Sequence, residues 1–156
     1  MTRVKVDAID RRILLDLQEN GRMTNVDLAR NAGISAPPCL RRIRALEENG
    51  FIRGYHADLD PEKMGYEVMF YALIGLDTQA GDRLAEFEKL VSDWPEVREC
   101  HMVRGGGDFL LKIVAVNTPH ENDLTTRLTG APHVARVTTF PVIRSAKRLP
   151  GVPVEL

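Results

Sequence analysis

The stretch "ISAPPCLRRIRALEENG", Ile34 to Gly50, places two prolines directly before an arginine-rich helix in a chain of net charge −1. Ser35 is a suitable N-cap, which puts Ala36, Pro37 and Pro38 in the first turn. First-turn amides have no intrahelical acceptor, so proline loses little there and its fixed φ is already helical. The prolines therefore start a helix. At about 100° per residue, Cys39, Leu40, Ile43 and Leu46 fall on one face and Pro37, Pro38, Arg41 and Arg44 on the other, with Arg42 at the border. Two readings fit this pattern: the second helix of a helix-turn-helix, or a solvated helix whose arginines pair with Glu47 and Glu48.

The residues before it favour the first. "DAIDRRILLDLQENG" sets Ile9, Ile13, Leu14 and Leu17 at helical spacing, with Asp7 as a cap and Asn20-Gly21 as a stop. "TNVDLARNAG" begins with Thr24, whose hydroxyl can cap the backbone, while Asp27 three residues on approximates a capping box. Leu28, Ala29 and Ala32 form its narrow apolar face, and Gly33 supplies a short left-handed turn. Three short helices with a tight second turn result.

Composition limits the alternatives. The 156 residues are 44% hydrophobic, enough for one good core or two small ones. No apolar run reaches the roughly 18 residues of a membrane span, and MTRVKVDAID carries no apolar signal core, so a soluble, cytoplasmic chain with no membrane partner is expected. Residues 1–60 hold ten Lys/Arg against nine Asp/Glu, and the rest eleven against thirteen. Any nucleic-acid contact must therefore be local rather than a bulk attraction. Cys39 and Cys100 have neither metal-ligand nor disulfide-framework spacing and read as reduced thiols. No cofactor or metal is expected.

The pattern changes beyond a polar connection. "FIRGYHADLDPEKMG" reads as a short extended segment running into a linker near Asp58 to Gly65. "EVMFYALIGL" suits a buried strand, and "RLAEFEKLVSDW" aligns Leu84, Phe87, Val91 and Trp94 on one helical face before Pro95. "VRECHMV" and "DFLLKIVAV" flank "RGGG" as two antiparallel strands around a glycine turn. Thr118-Pro119 is the expected cap of a helix running through Leu128 to Gly130, and "VARVTTFPV" is a last strand. The order βαββαβ is the ferredoxin-like split unit, and the fold class is α+β.

Taken together, "IDRRILLDLQENGRMTNVDLARNAGIS", "PPCLRRIRALEENGFIRGY", "VRGGGDFLLKI" and "VTTFPVI" resemble the leucine-responsive regulator/asparagine regulator (Lrp/AsnC) family of transcription factors. The resemblance covers nearly the whole chain. It implies a winged helix-turn-helix over residues 1–57, a linker at 58–66, a ferredoxin-like effector-binding and oligomerisation domain at 67–143, and a C-terminal tail at 144–156. It also implies double-stranded DNA with a pseudo-palindromic operator as partner, a small-molecule effector such as an amino acid or derivative, and a homodimer assembling to a tetramer or octamer.

Carried over by position, Ser35 to Arg44 would form the start and outer face of the recognition helix. Arg41 is best placed for base edges, because arginine pairs bidentately with guanine in the major groove. Arg42, Arg44 and Asn25 would hold phosphates, and Pro37 and Pro38 would touch thymine methyls or sugars. The family's effector site lies around the turn between the second and third strands, here Val103, Arg104, Gly105, Gly106, Gly107 and Asp108. Thr138 and Thr139 would add hydroxyls from the last strand. Read without the resemblance, the same glycines make a hairpin turn with no ligand. One departure is visible: family members often have Gly-Asp where this chain has Gly105-Gly106, which removes one partner for a ligand's ammonium group.

A rival reading is enzymatic, since siroheme decarboxylases resemble the family over both domains. That chemistry would need His56, His101, His120 or His133 to converge on a tetrapyrrole with basic side chains, yet they are scattered. The three serines, Ser35, Ser92 and Ser145, lie in no nucleophile motif. A decarboxylase has no need of the arginine face, so a non-enzyme is expected.

Overall fold

The computed structural model describes residues 5–156. The first four residues, part of the stretch read above for a signal core and of the domain expected over 1–57, lie outside the described residues. The elements are α1 (Ala8–Glu19), α2 (Asn25–Ala32), α3 (Ala36–Glu48), β1 (Val68–Leu76), α4 (Gly81–Ser92), β2 (Val97–Met102), β3 (Phe109–Ala115), α5 (Thr118–Thr129) and β4 (Val134–Pro141). They pack as two compact units. One comprises the residues up to Asp58 together with Lys147–Leu156, the other Leu59–Ala146.

The first unit is a three-helix core of Ile13, Leu28, Ala29, Cys39, Ile43 and Leu46, with Ile9, Leu14, Leu17 and Ile52 packed around it. Each helix start follows local chemistry. Asp7 and Asp10 form a reciprocal capping box on α1, and the Thr24 hydroxyl accepts from the Asp27 amide on α2. Gly33 closes α2 in the left-handed region at φ 69°, where a side chain would be strained. Ser35 holds the N-cap position of α3 but makes no side-chain cap bond, so the first-turn prolines set that helix start.

Two expectations about elements need correction. Leu40, assigned to the apolar face of α3, is 38% exposed, because Cys39, Ile43 and Leu46 already fill the space behind the helix. The cap of α5 is Asn117 rather than Thr118, its side chain accepting from the His120 amide. The segment after α3 forms no strand among the described residues. Tyr55 instead donates its hydroxyl to Glu47 Oε1 at 3.0 Å. Burial and that carboxylate push the phenol up to about 12, so it stays a donor at neutral pH.

The second unit is a four-stranded antiparallel sheet in the order β2-β3-β1-β4. β1 is paired on both edges, and its residues alternate between faces. Phe70, Ala72 and Ile74 point toward α4 and α5 and join Phe87, Val91, Trp94, Leu111, Ile113, Leu124 and Leu128 in one core. Met69, Tyr71 and Leu73 lie on the other face, only half-buried, beside exposed Phe140 on β4.

Asp108 ties this sheet to the β2–β3 turn. Its backbone amide donates to Ile74 O at 2.7 Å, and its carbonyl accepts from the Val103 amide at 2.9 Å. Its buried carboxylate accepts from the Leu76 amide and the Gln79 side chain, both at 2.7 Å. Gly107 sits so close to β1 that a Cβ there would come within 2.9 Å of Ile74 O and of the Leu73 side chain. Gly106 has only ordinary contact space, its nearest neighbour being Leu73 Cδ2 at 3.7 Å. Gly107→Ala should therefore lower stability by about 1–3 kcal/mol through overpacking, and Gly106→Ala by much less. Chemical denaturation of both variants checks the difference; equal losses would mean the turn yields freely.

Arg42 makes the corresponding tie in the first unit. Its Nη1 lies 2.8 Å from both Asp7 Oδ2 and Asp10 Oδ1, joining α3 to the start of α1. The Asp10 amide first, and Arg42 second, hold the Asp7 carboxyl below its ordinary 3.8. A depressed carboxylate stabilises the fold above its unfolded value, and that contribution disappears as pH falls through the folded value. Wild type should thus lose stability more steeply than Arg42→Ala as pH falls below about 4. At neutral pH the variant should be slightly less stable, as expected for a partly exposed pair. Urea titrations across that range measure both effects.

Candidate functional site

The exposed surface of α3 is set by what lies behind it. With Cys39, Ile43 and Leu46 buried, Pro37, Leu40, Arg41 and Arg44 share the outward stripe. Among the described residues neither Arg41 nor Arg44 has an ion-pair or side-chain hydrogen-bond partner. Glu47, one of the proposed intrahelical partners, instead takes the Tyr55 hydroxyl. The solvated-helix reading expected Arg41 and Arg44 to be paired with those glutamates, and they are not.

The structure gives the other expected DNA-contact residues different surroundings. Arg42 is committed to Asp7 and Asp10 and so braces α3 rather than standing free. Asn25 Nδ2 donates to the Ala36 carbonyl at 2.9 Å, which fixes the start of α3 against α2. Its Oδ1 is buried without a hydrogen-bond partner. Ser35 and Pro37 are exposed, and Pro38 is half-buried. The stripe of Pro37, Arg41 and Arg44 thus forms the outward surface, with Ser35 at its start and Asn25 and Arg42 beneath it. Leu40 is the member that helical spacing missed, since a 100° projection places it nearer the core than the packing does.

A second feature lies in the other unit. A cavity of about 360 Å³ is lined by Gln79, Leu84, Met102, Val103, Arg104, Gly105, Gly107 and Asp108. Five of the eight residues expected around the turn are present. Gly106 is outside the lining, and its carbonyl accepts from the Arg136 guanidinium. Thr138 and Thr139 pair with Leu73 and Ala72 of β1 and are not among the lining residues. Gly105 adopts φ +128° with open space around its Cα, so the backbone there is accessible. Leu84 and Met102 supply an apolar wall and Arg104 a cationic one, a set suited to a small molecule with an anionic end and an apolar body. Gln79, Leu84 and Met102 come from outside the glycine turn and carried no motif in the sequence.

The histidines do not meet. His101 contacts Glu99, His120 accepts from the Val116 amide, and His133 lies by Asp77 and Glu86. No cluster of three or more His, Cys, Asp or Glu suited to a metal occurs among the described residues, and no described helix is long and apolar enough to cross a membrane.

Known proteins match both units. The family model described as winged helix-turn-helix DNA-binding matches residues 6–53, and the Lrp/AsnC ligand binding domain matches residues 69–152. The leucine-responsive regulatory protein of Rhizobium meliloti (strain 1021) is 47% identical over 148 residues, covering 94% of this chain and 95% of that protein. A transcriptional regulator from Neisseria meningitidis, solved in complex with L-methionine, superposes with a TM-score of 0.90 at 31% identity, covering 96% of this chain and 97% of that one. An AsnC family transcriptional regulator from Agrobacterium tumefaciens gives a TM-score of 0.88 at 32% identity, covering 94% and 96%. With a helix-turn-helix whose arginine stripe faces outward and a sheet unit that matches the ligand-binding domain, the chain belongs to the Lrp/AsnC family of transcriptional regulators.

Proposed function

We propose that α3 reads a DNA major groove through Arg41, that Arg44 fixes register on the phosphates, and that an α-amino acid with an apolar side chain occupies the cavity beside the β2–β3 turn. The observation that carries the DNA reading is the separation of the three arginines: Arg42 is locked to α1, while Arg41 and Arg44 point outward and, among the described residues, are unpaired. Such a helix leaves the arginine charge of its outward stripe for a duplex and uses Arg42 alone to brace itself. Catalysis has no part in this reading.

A homodimer is the proposed binding unit, because one recognition helix covers too little surface for a tight specific site. The face of the sheet bearing Met69, Tyr71, Leu73 and Phe140 offers apolar area for the partner copy. Two half-sites of a pseudo-palindromic operator would then lie about one helical turn apart. Further assembly to a tetramer or octamer, and a cytoplasmic location, complete the reading.

The effector class rests on the cavity chemistry together with the L-methionine held by the Neisseria meningitidis regulator. In this chain a carboxylate would meet Arg104 and the backbone of the turn, and an apolar side chain would lie against Leu84 and Met102. Asp108 is already engaged by Leu76 and Gln79, so it serves as the frame of the cavity.

On a duplex selected from a random pool, Arg41→Ala should cost about 1–3 kcal/mol and relax preference at one base position per half-site. Arg44→Ala should weaken all sequences alike and reduce the slope of log affinity against log salt by about 1. Gel-shift titrations at two salt concentrations separate these outcomes, and unchanged binding in both variants would remove α3 from the interface.

For the cavity, L-methionine and L-leucine should raise the melting temperature of the wild type. Met102→Asp and Gly105→Val should abolish that rise without loss of DNA binding, the first by charging the apolar wall and the second by straining a backbone at positive φ. Equal stabilisation of all three proteins would put the ligand elsewhere.

A further inference from the structure

The last ten residues leave the sheet unit and pack with the helices: Lys147–Leu156 belong to the same compact unit as the residues up to Asp58. The ligand-binding-domain match, by contrast, runs on to residue 152. The contacts that hold this tail are specific. The Gln18 side chain donates to the Val152 carbonyl at 2.8 Å and accepts from the Val152 amide at 3.3 Å, a two-point grip on the backbone of one residue. Arg11 donates to the Glu155 carbonyl at 3.0 Å.

The spacing of these contacts fixes how the tail runs. Gln18 and Arg11 are seven residues apart on α1, and Val152 and Glu155 are three apart on the tail. Seven residues of helix rise about 10.5 Å, and three residues of extended chain span about 10 Å. The two lengths agree, so the tail lies extended and antiparallel along α1. Arg11, Leu15 and Gln18 share one helical face, opposite to Ile9, Ile13 and Leu17. Leu15 is nonetheless half-buried, as is Val154 between the two anchors. Both anchors face the tail, and the two half-buried apolar residues fall between them in sequence.

Two more features set the entry of the tail. Arg148 pairs with Asp58 at 2.9 Å, joining the two points at which the chain leaves the helical unit. Gly151 has φ +62°, and a Cβ there would collide with the side-chain amide of Gln18. A residue without a side chain is needed for the chain to turn onto Gln18.

We infer that residues 147–156 are a strap that completes the DNA-binding unit over the outer face of α1, so that the chain passes between its two units twice and the helix-turn-helix is held by two tethers instead of one linker. A unit on a single flexible linker reorients freely, whereas a second tether restricts its rotation. Because the strap begins a few residues after β4, a change in the sheet unit reaches α1 through a route separate from the 59–66 connection. This consequence for DNA binding rests on the proposed reading of α3.

Hydrogen exchange on the full chain tests the strap itself. The amide of Val152 should exchange at least about tenfold more slowly than in a free peptide of residues 147–156, and Gln18→Ala should return it to the peptide rate while β4 amides keep theirs. Gly151→Val should do the same by displacing the chain from Gln18. Free-peptide exchange at Val152 in the wild type, or protection that survives both substitutions, overturns the inference.

A chain ending at Ala146 tests the tether. On duplexes carrying two half-sites at varied separation, wild type should prefer one spacing by at least about tenfold, and the shortened chain should show a spread of less than about threefold. The same preference in both proteins overturns the second-tether role even where Val152 is protected. Absence of any spacing preference in wild type would instead count against the dimeric DNA reading, while the exchange experiment still decides whether the strap exists.

Discussion

The rotational setting of α3 is the constraint on which the rest of this molecule depends. A helix presents whichever side chains its neighbours leave outside, and a turn of one residue, about 100°, would replace Arg41 and Arg44 by another set. Cys39, Ile43 and Leu46 fix that angle from behind by packing into the core with Ile13, Leu28 and Ala29. Arg42 fixes it from the side through Asp7 and Asp10, and the Asn25 amide fixes the start at Ala36. The prolines add a fourth restraint, since their φ cannot change as the helix forms. None of these groups needs to touch DNA to decide what does.

The sheet unit is governed by a comparable device at its turn. A strand paired on both edges leaves its ends as the places where chain direction is set. At the end of β1, Asp108 satisfies the Leu76 amide with a buried carboxylate while its backbone is bonded to Ile74 and Val103. Gly107 permits the approach, for no side chain fits against Ile74. The cavity is what remains when this turn is held close to β1 and α4 is packed on the sheet. Its acidic member is therefore spent on structure, and the groups left to face a ligand are Arg104, the backbone of the glycines, and the apolar Leu84 and Met102.

Most of the fold was legible because local signals agreed with one another. Asp7, Thr24 and Gly33 mark helix ends by chemistry that needs no tertiary partner, and the glycine turn between two apolar runs marks the β2–β3 hairpin. Where packing departs from the one-dimensional pattern, the cause is shared. Helical projection sets Leu40 on the apolar face, and the space behind α3 is filled by Cys39, Ile43 and Leu46. Arg42 is engaged by Asp7 and Asp10, which lie more than thirty residues away in sequence, and a pairing over that distance leaves no periodic trace. Asp108 lines the cavity, while the groups that bond its carboxylate, Leu76 and Gln79, lie outside the turn. Register pairs Thr138 and Thr139 with Leu73 and Ala72. Which polar groups are already engaged is decided by such tertiary pairs and not by local pattern.

The near-neutral charge of the chain then gains a physical meaning. With a net charge of −1, there is little general attraction toward a polyanion, so binding must draw on locally placed arginines such as Arg41 and Arg44, unpaired among the described residues. Two such residues on one helix are a weak grip. On the proposed dimeric reading, several copies of that helix meet the duplex at once, and each added copy multiplies the effect only if its orientation is held. In a protein arranged this way, a small molecule acting on the sheet unit need not alter any contact with a base; altering how rigidly, or at what separation, the α3 helices are presented is enough to change the bound state.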